Sequence, residues 1–354
     1  MAEPEITRDA LDAALSAGER EQREESNTAR RLKQAQAQIA ELEKKVDILT
    51  SIDGIDCTPP DWTQPPKQRK DARGIACLML SDLHLDEVVL PEQMNGRNAY
   101  NREIALRRLH ETGARTIRLA RDFVTGIRYD GLVVWLGGDN VSGNIHAELR
   151  RTNAGQDVID TVDYWVDPLC ALLLMLADHF RRVRVIAVPG NHARNTDKPE
   201  SKDAVRSSFD WLLARILWRE TKSDGRISWN IPEAIMVQES VYRTRFHFEH
   251  GDAKAFKGGD QIAGPLRPAL MGRNRRRQQG YDFDHLLLCH FHSYASLTGL
   301  TINGSLIGPS QFGEGSGFSS DPPRQAFWVE TPENGSAFSM PVLPCDPKAE
   351  GWGS

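Results

Sequence analysis

Three short apolar runs, residues 75–80, 132–136 and 183–188, each end in a small polar motif: Asp82-Leu83-His84, Gly138-Asp139-Asn140 and Gly190-Asn191-His192. Each run is long enough for one buried strand and too short for a helix of ordinary length. Between them lie helical patterns over residues 100–127, with Leu106, Leu109, Ile117, Ala120, Val124 and Ile127 among charges, and over 158–179, with Leu169, Leu172, Leu173 and Leu176 inward. Gly113 inside the first pattern weakens the expectation of one unbroken helix. Strand alternating with helix predicts βαβ units and a largely parallel sheet, an α/β fold. In such sheets ligands bind beyond the carboxyl ends of the strands, where these three motifs fall.

The second half has a different texture. A helix is expected over 204–218, followed by strand-like runs at 234–238, 242–249, 285–289, 300–306 and 326–330, which suggest a second sheet. Two further motifs end such runs, His250-Gly251-Asp252 and His290-Phe291-His292. Alternate residues of an extended segment point the same way, so His290 and His292 can converge on one site. Five of the ten histidines lie in the five motifs. Each motif alone is also ordinary turn chemistry, with Asp, Asn and Gly where chains bend. Together, in order and at strand ends, they gather the residue types of a paired-metal centre.

The flanks divide the 354 residues into four expected segments. Residues 1–50 carry apolar positions Leu32, Ala35, Ile39, Leu42, Val46 and Leu49 alternating three and four apart, the seam of a short coiled coil. Helices this short are marginal without a partner surface. Either self-association or packing as a single amphipathic helix would satisfy the pattern. Residues 51–73 hold two Pro-Pro pairs and read as an extended linker, 74–340 as the catalytic domain, and 341–354 as a loose tail. A net charge of −5 does not advertise a nucleic-acid binder, although a local basic patch could act as one. The five scattered cysteines include no CxxC pair, which disfavours a disulfide framework or zinc knuckle. The polar N-terminus is not a secretory signal, and no run approaches a membrane span. A soluble protein of a reducing cytoplasm is expected, the host cytoplasm if the chain is phage-encoded.

Carboxylates and neutral imidazoles without thiolates suit Mn²⁺, with Fe or Zn²⁺ as alternatives. In order and content the five motifs resemble the calcineurin-like metallophosphoesterase superfamily, over residues 75–330. The resemblance implies a two-sheet β-sandwich flanked by helices and two divalent ions. It implies that Asp82, His84 and His292 bind the first ion, that Asp139 bridges both, and that Asn191, His250 and His290 bind the second. His192 would stand by the leaving-group oxygen as the catalytic residue, and a hydroxide between the ions would attack the phosphorus in line. The chain departs from the family in one place: Ala193-Arg194 follows Gly-Asn-His where an acidic residue is usual. That leaves open what orients His192, and Arg194 could either contact a phosphate oxygen or lie on the surface.

Such a centre cleaves phosphodiesters or phosphomonoesters alike, so the substrate must be read elsewhere. Arg273, Arg275, Arg276 and Arg277, preceded by Lys254, Lys257 and Arg267, would form a basic loop able to reach a DNA backbone. The segment 91–101, with Asn95, Asn98 and Tyr100, and the turn Asn303-Gly304-Ser305-Leu306 resemble phage-encoded and DNA-repair-nuclease-like members. His146 could be a secondary contact or merely part of a helix start. A DNA nuclease is therefore the expected activity. A phosphomonoesterase, nucleotide phosphatase or cyclic-nucleotide phosphodiesterase is the alternative, and an adaptor recruited through the N-terminal helix is the reading from another class.

Overall fold

A computed structural model describes residues 29–40, 43, 56–64, 72–143, 145, 148–155, 157–196, 198–200, 202–253, 266–316, 321–346 and 348–350. Met1–Gly54 and Ile55–Ser354 are two separate units. In the first, residues 29–40 are helical and exposed, with Leu32 59 % and Ile39 54 % accessible. Leu42, Val46 and Leu49 of the expected seam lie outside the described residues.

The second unit is a two-sheet sandwich flanked by helices. The first sheet contains β1 (Arg73–Leu80), β2 (Arg128–Leu136), β3 (Val183–Ala187), β4 (Ile227–Asn230), β10 (Gln325–Thr331) and β11 (Gly335–Val342). Its order is β11-β10-β1-β2-β3-β4, with β1 to β4 parallel and the last two strands antiparallel. The second contains β5 (Met236–Val241), β6 (Thr244–Glu249), β7 (His285–Leu288), β8 (Ala295–Leu297) and β9 (Leu300–Ile302), in the order β5-β6-β7-β9-β8. β6, β7 and β9 run parallel, so β6 and β7 end at the same edge.

Strand periodicity divides the core. Ile75, Cys77 and Met79 of β1 join Val133, Trp135, Phe246, Phe248 and Leu287 between the sheets. Their alternate neighbours Ala76, Leu78 and Leu80 face the helices α1 (Arg102–Arg118), α2 (Val158–Phe180) and α3 (Phe209–Thr221). Both faces of β1 are buried, which is why its sequence is continuously apolar. Asn101 and Asp157 cap α1 and α2 by accepting from Ile104 N and from Ile159 and Asp160 N. Gly113 does not break α1. It marks a close approach to α2, since a Cβ there would lie 2.2 Å from Met175 Cε and 2.5 Å from Leu172 Cδ1.

The third helix begins later than its periodicity suggests. Residues 203–208 turn instead, held by Asn195 N to Ser207 O and Phe209 N to Ala193 O at 2.8 and 2.7 Å. Two flanks also differ from expectation. Residues 56–64, read as linker, pack on the domain: Trp62 covers Gly131, and Tyr242 N donates to Thr63 O at 2.7 Å. The tail is not loose in its described part. Glu350 forms a fully buried ion pair with Arg108 at 2.7 Å, and β11 carries regular structure to Val342.

Candidate metal centre

All five motifs follow the carboxyl ends of strands: β1, β2 and β3 in the first sheet, β6 and β7 in the second. The two edges meet where His250 Nδ1 donates to Gly137 O at 2.8 Å and Asp82 Oδ1 accepts from His290 N at 3.0 Å. Asp82, His84, Asp139, His290 and His292 all hold left-handed backbone, with φ between 46° and 71°. Non-glycine residues resist that conformation, at a cost of about 1 kcal/mol or more each. Backbone bonds enforce it: Asp82 N to Gly138 O, His84 N to Asp139 O and Leu306 N to Asp82 O, each 3.0 Å. The result is that consecutive side chains of tight turns aim at one point.

Three overlapping groups of donor atoms form there, each group within 4.8 Å: Asp82, His84 and His292; His84, Asp139 and His192; Asp139, His250 and His290. His84 Nε2 stands 3.1 Å from His292 Nε2, and Asp82 Oδ1 3.4 Å from the same His292 nitrogen. Asp139 Oδ1 accepts from His192 N at 2.7 Å, while its Oδ2 faces His250 Nε2 at 3.0 Å.

Several features of this arrangement call for positive charge. With Nδ1 donating to a carbonyl, a neutral His250 ring presents a lone pair to a carboxylate oxygen. Only a proton or a cation between them relieves that repulsion. Although burial opposes it, the charge of Asp139 holds His250 well above the usual histidine range. Asn191 Oδ1 is buried with no hydrogen-bond partner among the described residues, a cost the fold bears unless a ligand takes it up. Burial pushes His290 down to about 3 and His192 to about 4, so both rings are neutral at neutral pH and each carries a lone pair. The donor set of carboxylate, amide oxygen and imidazole fits borderline and hard divalent cations.

Two carboxylates unremarked in the sequence hold this geometry. Glu87, half-buried and bonded by Ser142 Oγ at 3.0 Å, lies 3.2 Å from His84 Nδ1, which leaves Nε2 to face the site. Asp210, in the first turn of α3, accepts from the backbone N of Asp139 (2.8 Å), Asn140 (3.0 Å) and Gly190 (3.0 Å). It thereby ties the loop after β2 to the loop after β3. Burial, with the charge of Asp139 adding to it, pushes its carboxyl up to about 6. The loops touch so closely that a Cβ on Gly138 (φ +79°) would lie 2.2 Å from Gly190 N. Asp82 has its own support: Ser81 Oγ donates to its Oδ2 at 2.6 Å, and Asn303 Nδ2 donates to Ser81 Oγ at 2.8 Å.

The arginines do not behave as one phosphate-binding loop. They lie on a helix, α4 (Leu266–Gln278), over the outer face of the second sheet, where Ala269 packs with Phe283, Leu286 and Phe291. Arg276 is buried in a two-pronged pair with Glu249, at 2.7 and 2.6 Å. Arg273 donates to Thr298 O, and Arg277 donates to Phe283 O while stacking on its ring. These three are fasteners, because a planar guanidinium satisfies several acceptors at once. Arg275 is exposed. Arg194 donates to Asn191 O and Thr196 O, shaping its own loop. His146, Lys254 and Lys257 lie outside the described residues.

No protein-family model matches the chain, and no curated protein matches it. Among solved structures, it is similar to Vacuolar Protein Sorting 29 from Cryptosporidium parvum, with 14 % identity and a TM-score of 0.29, over 76 % of this chain and 96 % of that one. It is also similar to a sulfate thiohydrolase, SoxB, from Thermus thermophilus, with 12 % identity and a TM-score of 0.29, over 81 % of this chain and 59 % of that one. Backbone agreement of that degree identifies neither a substrate nor a reaction.

Proposed function

We propose that the chain is a two-metal-dependent phosphoesterase of the calcineurin-like kind that hydrolyses phosphodiester bonds, with DNA as substrate. The observation that carries the reading is the overlap of the donor groups: His84 and Asp139 each belong to two of them, so neighbouring ions would share a wall. Asp82, His84 and His292 would hold one ion; Asp139, Asn191, His250 and His290 would hold the other, with Asp139 between. Two such ions, when bound, activate water and neutralise the oxygens of an in-line displacement. The chain's own part is positioning. Its strained turns and buried carboxylates fix the donors, and His192, neutral and half-buried at the site, offers a hydrogen bond to a leaving oxygen. Arg275 on the exposed side of α4 is the remaining member of the cluster free to meet a phosphate backbone.

The test is chelated protein reloaded with Mn²⁺, Fe²⁺ or Zn²⁺ and offered linear DNA, single-stranded DNA, bis(p-nitrophenyl) phosphate and p-nitrophenyl phosphate. Metal-dependent cleavage of DNA and of the diester is expected. Turnover of the monoester alone would establish a phosphatase instead.

The exposed Leu32 and Ile39 favour a second, compatible reading, in which the N-terminal helix pairs with a second copy. Light scattering should show the full chain as a dimer and the doubly substituted Leu32→Glu, Ile39→Glu chain as a monomer. A monomer in both cases removes self-assembly through this helix.

A further inference from the structure

A cavity of about 490 Å³ opens directly from the metal centre, bounded on its inner side by His84, Asp139, His192, His290 and His292. Its size suits one small organic group. Beyond the histidines its wall is partly apolar, from Val88, Leu149 and Ile307. Its charged lining is acidic: Glu87, engaged with His84, and Glu148, which is exposed at the cavity. Among the residues whose side chains are described no lysine or arginine lines it. A second phosphate placed here would meet carboxylate rather than cation.

The far side is a clasp between two short elements, the turn Pro91–Met94 and the helix Gln311–Ser316. Gln311 Nε2 donates to Gln93 Oε1, Arg97 pairs with Glu314, and Asn98 Nδ2 donates to Ile307 O and Pro309 O at 2.8 and 2.6 Å. Both glutamines line the cavity. Their mutual bond leaves the Gln93 amide its N–H donors and the Gln311 amide its carbonyl, a donor and an acceptor on one wall of the cavity. A paired donor and acceptor is the pattern with which a carboxamide reads the edge of a nucleobase.

We propose that this cavity is a subsite for a single nucleoside beside the scissile phosphate, its base edge met by Gln93 and Gln311 and its face by Leu149 and Ile307. The proposal rests on the phosphodiesterase reading above and narrows it. A strand enters with one terminal nucleoside in the cavity, and its further phosphates stay outside, away from Glu148.

Calorimetric titration of the full chain, with Ca²⁺ present, tests this with adenosine 5′-monophosphate, adenosine 5′-triphosphate and ribose 5-phosphate. The monophosphate should bind about tenfold or more tighter than ribose 5-phosphate, and tighter than the triphosphate. In the doubly substituted Gln93→Ala, Gln311→Ala chain, the preference for the base should vanish. In Glu148→Lys, on the rim, the triphosphate should rise to at least the affinity of the monophosphate. Equal binding of monophosphate and ribose 5-phosphate by the unsubstituted chain overturns the subsite, as does tightest binding of the triphosphate. A preference that survives the double substitution, or a Glu148→Lys chain with unchanged ranking, does so too. Turnover of bis(p-nitrophenyl) phosphate separates the two claims. Turnover without base preference removes the subsite alone, and base preference without turnover removes the enzyme reading alone.

Discussion

Asp139→Asn should reduce hydrolysis of every phosphodiester tested by more than about 10²-fold, since even partners that only orient metal ligands are worth about 10–100-fold. The fold should persist, because an amide occupies the same space and its oxygen can still accept from His192 N, now 2.7 Å from Oδ1. What the substitution removes is charge and one anionic donor atom at the position shared by two of the three donor groups. Full activity in Asp139→Asn, with circular dichroism unchanged, would remove the shared-wall assignment. Unfolding of the variant would instead show that Asp139 serves chiefly to hold the loops.

Asp210→Ala should be the most destabilising single change near the site. It leaves the backbone N–H groups of Asp139 and Asn140 buried, and that of Gly190 half-buried, without their acceptor. One such orphaned group costs about 1–3 kcal/mol, so a loss of at least about 3 kcal/mol is expected in urea unfolding. Asp210→Asn keeps one acceptor oxygen but turns an NH₂ toward some of the same donors, so it should lie between. Both variants should also bind Mn²⁺ more weakly, because the turn that aims Asp139 loses its anchor. Unchanged stability and metal affinity in Asp210→Ala would show that the loops after β2 and β3 hold themselves.

These two residues show what local pattern can and cannot convey. The placement of Asp139 just after β2 was legible because it follows a continuous apolar run, and because four other motifs share that placement. The runs behind β1, β2 and β3 are unmistakable for the same reason, since a strand buried on both faces has no polar alternation to confuse with a helix. Asp210 looks in sequence like an ordinary acidic residue at a helix start. Its role exists only because α3 carries it to loops 71 and 20 residues away in the chain. Arg276 misleads in the opposite direction. It sits in a run of basic residues that suggests a solvated or phosphate-binding loop, yet its partner Glu249 is 27 residues upstream and buried.

The strands β4, β8 and β11 left little trace. Four and three residues give periodicity too few positions to register, and the eight residues of β11 form a half-exposed edge strand without a continuous apolar run; the pairing of each is set by neighbours already in place. The C-terminal ion pair was equally hidden. Pro344, Pro347 and Gly351 suggest a loose end. The burial of Glu350 depends on Arg108, which also donates to Leu306 O and Ile307 O at 3.0 and 2.8 Å. Ala193-Arg194 follows Gly190-Asn191-His192, and Asp210 reaches that loop through Gly190 N from another element.

The central claim is that one chain holds two neighbouring divalent ions. Anomalous diffraction from crystals of the full chain grown with Mn²⁺ tests it most directly. Two peaks are predicted, one among Asp82, His84 and His292 and one among Asp139, Asn191, His250 and His290, with Asp139 touching both. A single peak, or peaks elsewhere with these side chains still bonded to one another, would contradict it.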